Sequence, residues 1–236
     1  MEIVPGLYRL PSIQGVNAYV WHPQADQRGA GEPILFDCGF PWSGRALVAS
    51  LVALGCQPTE VRTIAITHDD VDHAGRLASL RAVSGAEVIA HALEAPRFGR
   101  AAWRDLPGLR AWVSVGQAIG RLMSRAMPQR PVAVTRPVQD GDALPGGWIV
   151  VHTPGHTPGH AAYFHPERRI LIAGDALGSV RDGRLRPPEA FVTEDPVTAA
   201  ASVRKLAALE PDVLCCGHGL ETHDAAEALK RLAEAL

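Results

Sequence analysis

In the first third of the chain, apolar and polar residues alternate over short runs, around 3–10, 16–21 and 33–36, with the turn-rich stretch QADQRGAGEP between the last two. That pattern predicts three strands of an opening β-meander. The period then changes. Behind Asp37-Cys38-Gly39, Ser43 stands where a helix N-cap belongs, Ala46, Leu47, Leu51 and Leu54 follow at helical spacing, and Gly55 ends the run. A strand is predicted over 62–66, a helix over 73–83 and a further strand over 86–90. Up to there the chain reads as βα alternation.

Between His91 and Gln129, Leu109, Trp112, Val113, Ile119, Leu122, Met123 and Met127 recur at helical spacing, with Arg110, Arg121 and Arg125 among them. They predict a helical insert at about 92–131. Strands resume at 132–135, 148–152, 160–164 and 169–173. A helix capped at Asp195 runs to Leu209, a strand covers 213–215, and a last helix starts at Thr222. Strands gathered toward both ends, with helices among them, predict an α/β fold (α+β in some schemes) of two mixed sheets packed together under outer helices. No internal repeat or low-complexity linker interrupts the 236 residues, so one domain is expected.

Composition mainly removes alternatives. No uncharged apolar run approaches a membrane span, and the opening MEIVPGLYRLP has an acid at its second position and no apolar signal core, so a cytoplasmic protein is expected. Cys215 and Cys216 are adjacent, while Cys38 and Cys56 lack any paired spacing. These are read as reduced, mostly buried thiols rather than a disulfide or zinc-knuckle framework. The net charge is only −2, yet eight arginines and a single acid, Asp105, fall between Pro96 and Arg136. Solvated helix faces account for such a run; so would an anionic substrate, an anionic membrane surface or nucleic acid.

Four times an apolar strand runs straight into potential metal ligands: RTIAI into THDDVDH, WIVV into HTPGHTPGH, RRILIA into GD, and DVLCC into GHG. Loops at one edge of a sheet converge in space, so ligands scattered in sequence can meet. Imidazoles mixed with carboxylates are the donors of Zn, Fe, Mn or Co sites. His68, Asp70, Asp72, His73, His156, Asp175 and His218 would suffice for two ions. Each also has an ordinary reading. Asp69 is expected to face solvent, Asp70 or Asp72 could merely cap the helix beginning near His73, and a lone His156 or His218 is usually a satisfied loop histidine. Glycine before each of those two histidines nevertheless permits the close backbone approach a ligand loop needs.

These motifs make the chain resemble the metallo-β-lactamase superfamily. Its HxHxDH motif has a counterpart in His68-Asp69-Asp70-Val71-Asp72-His73, with one departure. The likeness continues at Thr153-Pro154-Gly155-His156-Thr157-Pro158-Gly159-His160, Gly174-Asp175 and Gly217-His218-Gly219, in family order. The resemblance implies a metallo-β-lactamase/glyoxalase II-like αββα sandwich. It also implies a binuclear centre in which His68, His156 and the residue at position 70 serve the first metal, Asp72, His73 and His218 the second, and Asp175 bridges. His160 is better read as supporting the ligands from behind, and His152 is ambiguous.

By that resemblance the activity is hydrolysis of an ester, thioester or lactone carbonyl by a hydroxide held between two divalent ions, with Asp72 orienting the nucleophile and passing its proton to the leaving group. The departure is Asp70, where most members carry histidine. Zinc is the family metal, but an anionic oxygen donor there favours Mn or Fe. Diiron oxidoreductases of the family carry a carboxylate at this position, so an iron enzyme acting on oxygen, nitric oxide or sulfur species is the alternative, although such reductases add a flavodoxin module. A catalytically silent binding protein is the third reading. The chain continues only eighteen residues past His218, so the glutathione-binding helical region of glyoxalase II is expected to be missing. No nuclease domain is legible either, and no nucleic-acid partner is expected. The expected substrate is a small molecule with an anionic or amphipathic tail, for which the insert would form a lid; the insert could equally be a surface hairpin or a contact with a second copy.

Overall fold

Short runs of β-branched and aromatic residues bounded by glycine, proline and aspartate give fourteen strands among the described residues. The computed structural model describes residues 1–13, 15–22, 31–98, 131–180 and 184–236. One sheet holds β1 (Glu2–Val4), β2 (Leu7–Ile13), β3 (Val16–Trp21), β4 (Ile34–Phe36), β5 (Thr63–Ala65), β6 (Glu87–His91) and β7 (Arg136–Val138), neighbours in that order. Its first four strands are antiparallel, and β4 to β7 run parallel. The second sheet is built from β8 (Ile149–His152), β9 (Ala161–His165), β10 (Ile170–Gly174), β13 (Val213–Cys216) and β14 (Thr222–His223), in the order β14-β13-β10-β9-β8. A small ribbon pairs β11 (Gly178–Ser179) with β12 (Leu185–Arg186).

The period of two along each strand divides its side chains between two layers. Tyr19, Trp21, Phe36, Ala65 and Ile89 of the first sheet face Trp148, Val150, Tyr163, Ile172 and Cys215 of the second in one inner core. Ala18, Val20, Leu35 and Ile64 point the other way, under α1 (Gly44–Ala53) and α3 (Leu77–Ser84), against Leu47, Leu51, Leu77 and Leu80. Val151, Ala162, Leu171 and Leu214 pack outward under α4 (Pro196–Ala207) and α5 (Ala225–Glu234), with Val203, Leu206 and Leu229. The result is the expected αββα sandwich. Two hydroxyls tie its halves together: Tyr163 donates to the Ile66 carbonyl at 2.7 Å and Tyr19 to the Cys216 carbonyl at 2.6 Å. All four cysteines are free and buried.

Several boundaries differ from the sequence pattern, each for a local reason. The strand expected over 3–10 is two strands, β1 and β2, joined by a turn at Pro5-Gly6. The helix expected over 73–83 is α2 (Val71–Ala74) followed by α3. Its break lies at Gly75-Arg76, where Pro41 packs so closely that a Cβ on Gly75 would run into Pro41 and the Val71 carbonyl. Ser43 precedes α1 but does not cap it with its side chain; the hydroxyl donates instead to the Phe40 carbonyl at 2.7 Å. Instead of a strand over 132–135, the regular ladder with β6 begins at Arg136; at Thr135 the N–H donates to the Val88 carbonyl at 3.0 Å, but the Val88 N–H is taken by the Thr135 hydroxyl at 2.8 Å rather than by a backbone carbonyl. The last helix starts at Ala225, since Thr222 and His223 are used by β14.

Of the predicted insert, the start is a 3-10 turn at Ala95–Arg97, and positions 99–130 lie outside the described residues, as does most of the turn-rich stretch before β4. Among the described residues no helix is long and apolar enough to cross a membrane.

Phe36 lies at the middle of the inner core, with ring centroids 4.7 Å from Trp148 and 5.3 Å from Tyr163. Phe36→Ala should therefore destabilise the fold by about 3–5 kcal/mol in denaturant titrations. A loss below about 1 kcal/mol would mean that the two sheets do not depend on this contact.

Candidate metal centre

Parallel pairing brings the predicted ligands to one edge of the sandwich. In the first sheet β4 and β5 run side by side, so Asp37 and Thr67, which follow them, meet. In the second sheet β10 pairs parallel with β13, and β8 runs the same way as β10 because each is antiparallel to β9. The loops carrying His156, Asp175 and His218 thus leave from the same edge of the sheet, those of Asp175 and His218 from adjacent strands. The sheets join at the same edge: Ala161 N–H donates to the Thr67 carbonyl at 3.0 Å, and Asn17 N–H to the Gly217 carbonyl at 2.8 Å.

All seven candidate ligands come together there. Donor atoms of His68, His156 and Asp175 lie within 4.8 Å of one another, and so do those of Asp72, His73 and His218. Asp70 joins the first group through Oδ2, 3.3 Å from His68 Nε2 and 3.2 Å from His156 Nε2. Asp175 lies between the groups. Its Oδ1 is 3.4 Å from His73 Nε2, and its Oδ2 is 3.3 Å from His218 Nε2 and 3.8 Å from His156 Nε2. Asp72 Oδ2 is 3.4 Å from His218 Nε2 and 3.8 Å from His73 Nε2. Asp70 occupies the N-cap position of α2 but makes no side-chain capping bond, so its carboxylate is turned to the imidazoles rather than to the helix.

For His73, His68 and His218, a hydrogen bond on the far side of the ring aims Nε2 inward and fixes the tautomer of the neutral imidazole. His73 Nδ1–H donates to Asp37 Oδ2 at 2.8 Å. His68 Nδ1–H donates to Thr67 Oγ1 at 2.9 Å, and that hydroxyl passes its own proton to Asp37 Oδ2 at 2.9 Å. His218 Nδ1–H donates to the Gly15 carbonyl at 3.1 Å. Nε2 of His68, Nε2 of His73 and Oδ1 of Asp175 are then buried without a hydrogen-bond partner among the described residues. Buried polar atoms left this way are costly unless something else satisfies them. Imidazoles whose Nε2 faces inward beside carboxylates would, once deprotonated, suit divalent cations. Gly217 keeps the space open: a Cβ there would run into Asp175 Oδ1 and stand 2.6 Å from the His73 ring.

The electrostatics follow from the same packing. Burial, together with the neighbouring His73 and His156, pushes His68 well below the usual histidine range, which leaves a neutral donor. Burial would also depress His73, but the carboxylates of Asp175, Asp72 and Asp37 outweigh it and raise its pKa. His218 shows the same balance, with Asp175 and Asp72 overcoming burial to bring it up to about 10. Burial would raise Asp175, yet His73 and His218 hold it well below the carboxylate range, and Asp72 is lowered by His73 and His218. The carboxylate field that favours protons on these imidazoles is one a divalent cation would compete for.

Other expectations sort themselves by position. His160 does not face the centre with the candidate ligands: its Nε2 accepts the Asp175 N–H at 3.0 Å and its Nδ1–H donates to Thr153 Oγ1 at 2.7 Å, which places it behind Asp175. His152 is turned away, donating to the Pro158 carbonyl at 2.9 Å and stacking on His91 with centroids 3.9 Å apart. Asp69, expected in solvent, instead pairs with Arg97 Nε at 3.1 Å, and Arg97 also reaches Glu194 at 2.7 Å. Asp37 was not among the sequence candidates. Its place after a buried strand and before Cys38-Gly39 was its one signal. It is buried, adopts φ 56°, and accepts the Thr67 N–H at 2.8 Å on Oδ1 as well as the bonds above.

A family model described as the metallo-beta-lactamase superfamily matches residues 15–218. A probable metallo-hydrolase, YflN, of Bacillus subtilis is 31% identical over 206 residues, covering 79% of this chain and 75% of that protein. A hydroxyacylglutathione hydrolase of Rhodospirillum rubrum is 32% identical over 181 residues, covering 75% of this chain; the match spans 55% of that relative's length. Among solved structures, a metallo-beta-lactamase family protein from Thermus thermophilus aligns over 99% of this chain and 80% of its own, with a TM-score of 0.72 and 29% identity. The chain belongs to the metallo-beta-lactamase superfamily.

Proposed function

We propose that the chain is a binuclear metal-dependent hydrolase acting on an ester, thioester or lactone carbonyl. The observation that carries this reading is the position of Asp175 between two ligand groups, within 4 Å of His156 in one and of His73 and His218 in the other, with buried, unpartnered atoms facing inward. His68, Asp70, His156 and Asp175 would hold one ion, and Asp72, His73, His218 and Asp175 the other. When bound, two such ions supply Lewis acidity toward a carbonyl oxygen and make water nucleophilic near neutral pH. The protein's own part is to orient and to move a proton. Asp72 is partly exposed, and His73 and His218 keep it ionised, so its carboxylate can accept a proton from the attacking water and return it to the leaving group. Asp37, Thr67 and Gly15 hold the rings of His73, His68 and His218 with Nε2 toward the centre.

A thioester is favoured among the carbonyl substrates by the hydroxyacylglutathione hydrolase relative, with the match limited to about half of that protein. The metal choice turns on Asp70. Zinc is the family ion, but exchanging an imidazole for a carboxylate adds negative charge and hardness to the first site and favours Mn or Fe. The same feature is what favours an iron-dependent oxidoreductase as the second reading. A panel of thioesters, esters and lactones assayed after chelation and reloading with Mn, Zn or Fe separates them. Metal-dependent hydrolysis is expected. Redox-active iron with no hydrolysis under any metal would overturn the hydrolase.

Two substitutions probe the ligand sets. Asp175→Ala should release both equivalents of metal, because it serves both groups; retention of two would remove it from the centre. Asp70→His should keep binding while shifting preference toward zinc by roughly tenfold or more in competition with manganese, in the sense of the ligand-type rule. Unchanged preference and activity would mean that Asp70 is not a ligand.

A further inference from the structure

Glu94 has no part in the ligand motifs, yet it is fully buried, 0% exposed, in the turn after β6. Its carboxyl spans two loops. Oε1 accepts the Asp69 N–H at 2.9 Å, and Oε2 accepts the Thr157 hydroxyl at 3.0 Å and the Gly159 N–H at 3.1 Å. Asp69 stands between His68 and Asp70, and Thr157 follows His156. Every candidate ligand of the first site except Asp175 is therefore one residue from a group that Glu94 holds. None of these bonds touches the loop of His218 or the helix carrying Asp72 and His73.

We propose that Glu94 is the positioning residue of the first metal site, setting the distance between the His68–Asp70 turn and the His156 loop. This rests on the two-metal reading above. The alternative is that Glu94 merely braces the fold at this edge, as a buried side chain with three hydrogen bonds could. The two differ in selectivity: a brace affects both sites and the whole fold together, whereas a positioning residue affects the first site alone. Burial, with the Asp69 carboxylate next to it, pushes the Glu94 carboxyl up to about 8. Both oxygens nevertheless accept backbone N–H groups, so a glutamine, whose amide nitrogen only donates, keeps the volume and loses at least one of the three bonds. The Arg97 guanidinium, 3.6 Å from Glu94 Oε1, remains engaged with Asp69 and Glu194 in either case.

The test is titration of the metal-free protein with Mn(II) and with Zn(II), followed calorimetrically beside its melting temperature. The native protein should take two equivalents. Glu94→Ala should keep one tight equivalent, with the other weakened roughly 10- to 100-fold, the range for loss of a group that orients ligands. His218→Ala should also keep one, and the double variant none. Glu94→Gln, which keeps the volume and only part of the hydrogen bonding, should weaken the same site less than Glu94→Ala does. If Glu94→Ala does not fold, Thr157→Val removes one donor at constant volume and should weaken the same site. Two native-strength equivalents in Glu94→Ala, or in Thr157→Val, would overturn the proposal. So would a double variant that still holds one tight ion, or loss of both sites in step with the melting temperature. A native protein that binds no metal would instead overturn the two-metal reading itself.

Discussion

Asp175 is a partly buried carboxylate set among three imidazoles, and most of the surrounding structure follows from what such a group requires. An ionised carboxylate taken from water needs compensating charge and hydrogen bonds on several sides. His73, His218 and His156 approach it from three different segments of the chain. They can do so because β10 and β13 lie parallel and release Asp175 and His218 at the same edge, while Tyr163 and Tyr19 bind the second sheet to the first. Gly217 must lack a side chain, since any Cβ would occupy the space between Asp175 and His73. Fold and site are thus one packing problem.

Around that centre runs an outer ring of hydrogen bonds whose members come from outside the motifs. Asp37 is its anchor, engaging Thr67 twice and His73 once, and through Thr67 it also reaches His68. Gly15 and Asn17 perform the same service for the His218 loop, the Asn17 amide donating to the carbonyls of Cys216 at 3.0 Å and Gly219 at 2.8 Å. His160 supports Asp175 through its backbone. Fixed in this way, the imidazoles lose little freedom when an ion is bound, which is the physical basis for affinity at a preorganised site.

The candidate ligands were legible in the sequence because they follow apolar strands within a few residues, and a strand followed by a polar loop leaves a local pattern. The layers were legible for the same reason, through periods of two along β3 and near four along α1. Partners chosen by tertiary contact leave no such trace. Asp37 meets Thr67 thirty positions later, and Glu94 meets Gly159 sixty-five positions later. Asp69 looked like a solvent-facing spacer because Arg97 lies beyond a full helix and strand. The break between α2 and α3 was hidden as well: Gly75-Arg76 is tolerable in an isolated helix, and the close approach of Pro41, which leaves no room for a Cβ at Gly75, comes from a distant part of the chain.

The central claim is that Asp175 joins two ions, the first of which is also held by Asp70. Crystals of protein purified without added metal, measured for anomalous scattering on both sides of the Mn, Fe and Zn edges, test it most directly. Two peaks about 3.5–4 Å apart are predicted. One should lie against His68, Asp70 and His156 and the other against Asp72, His73 and His218, with Asp175 reaching both. A single peak, or a first-site ion with the Asp70 carboxylate turned away from it, would contradict the account.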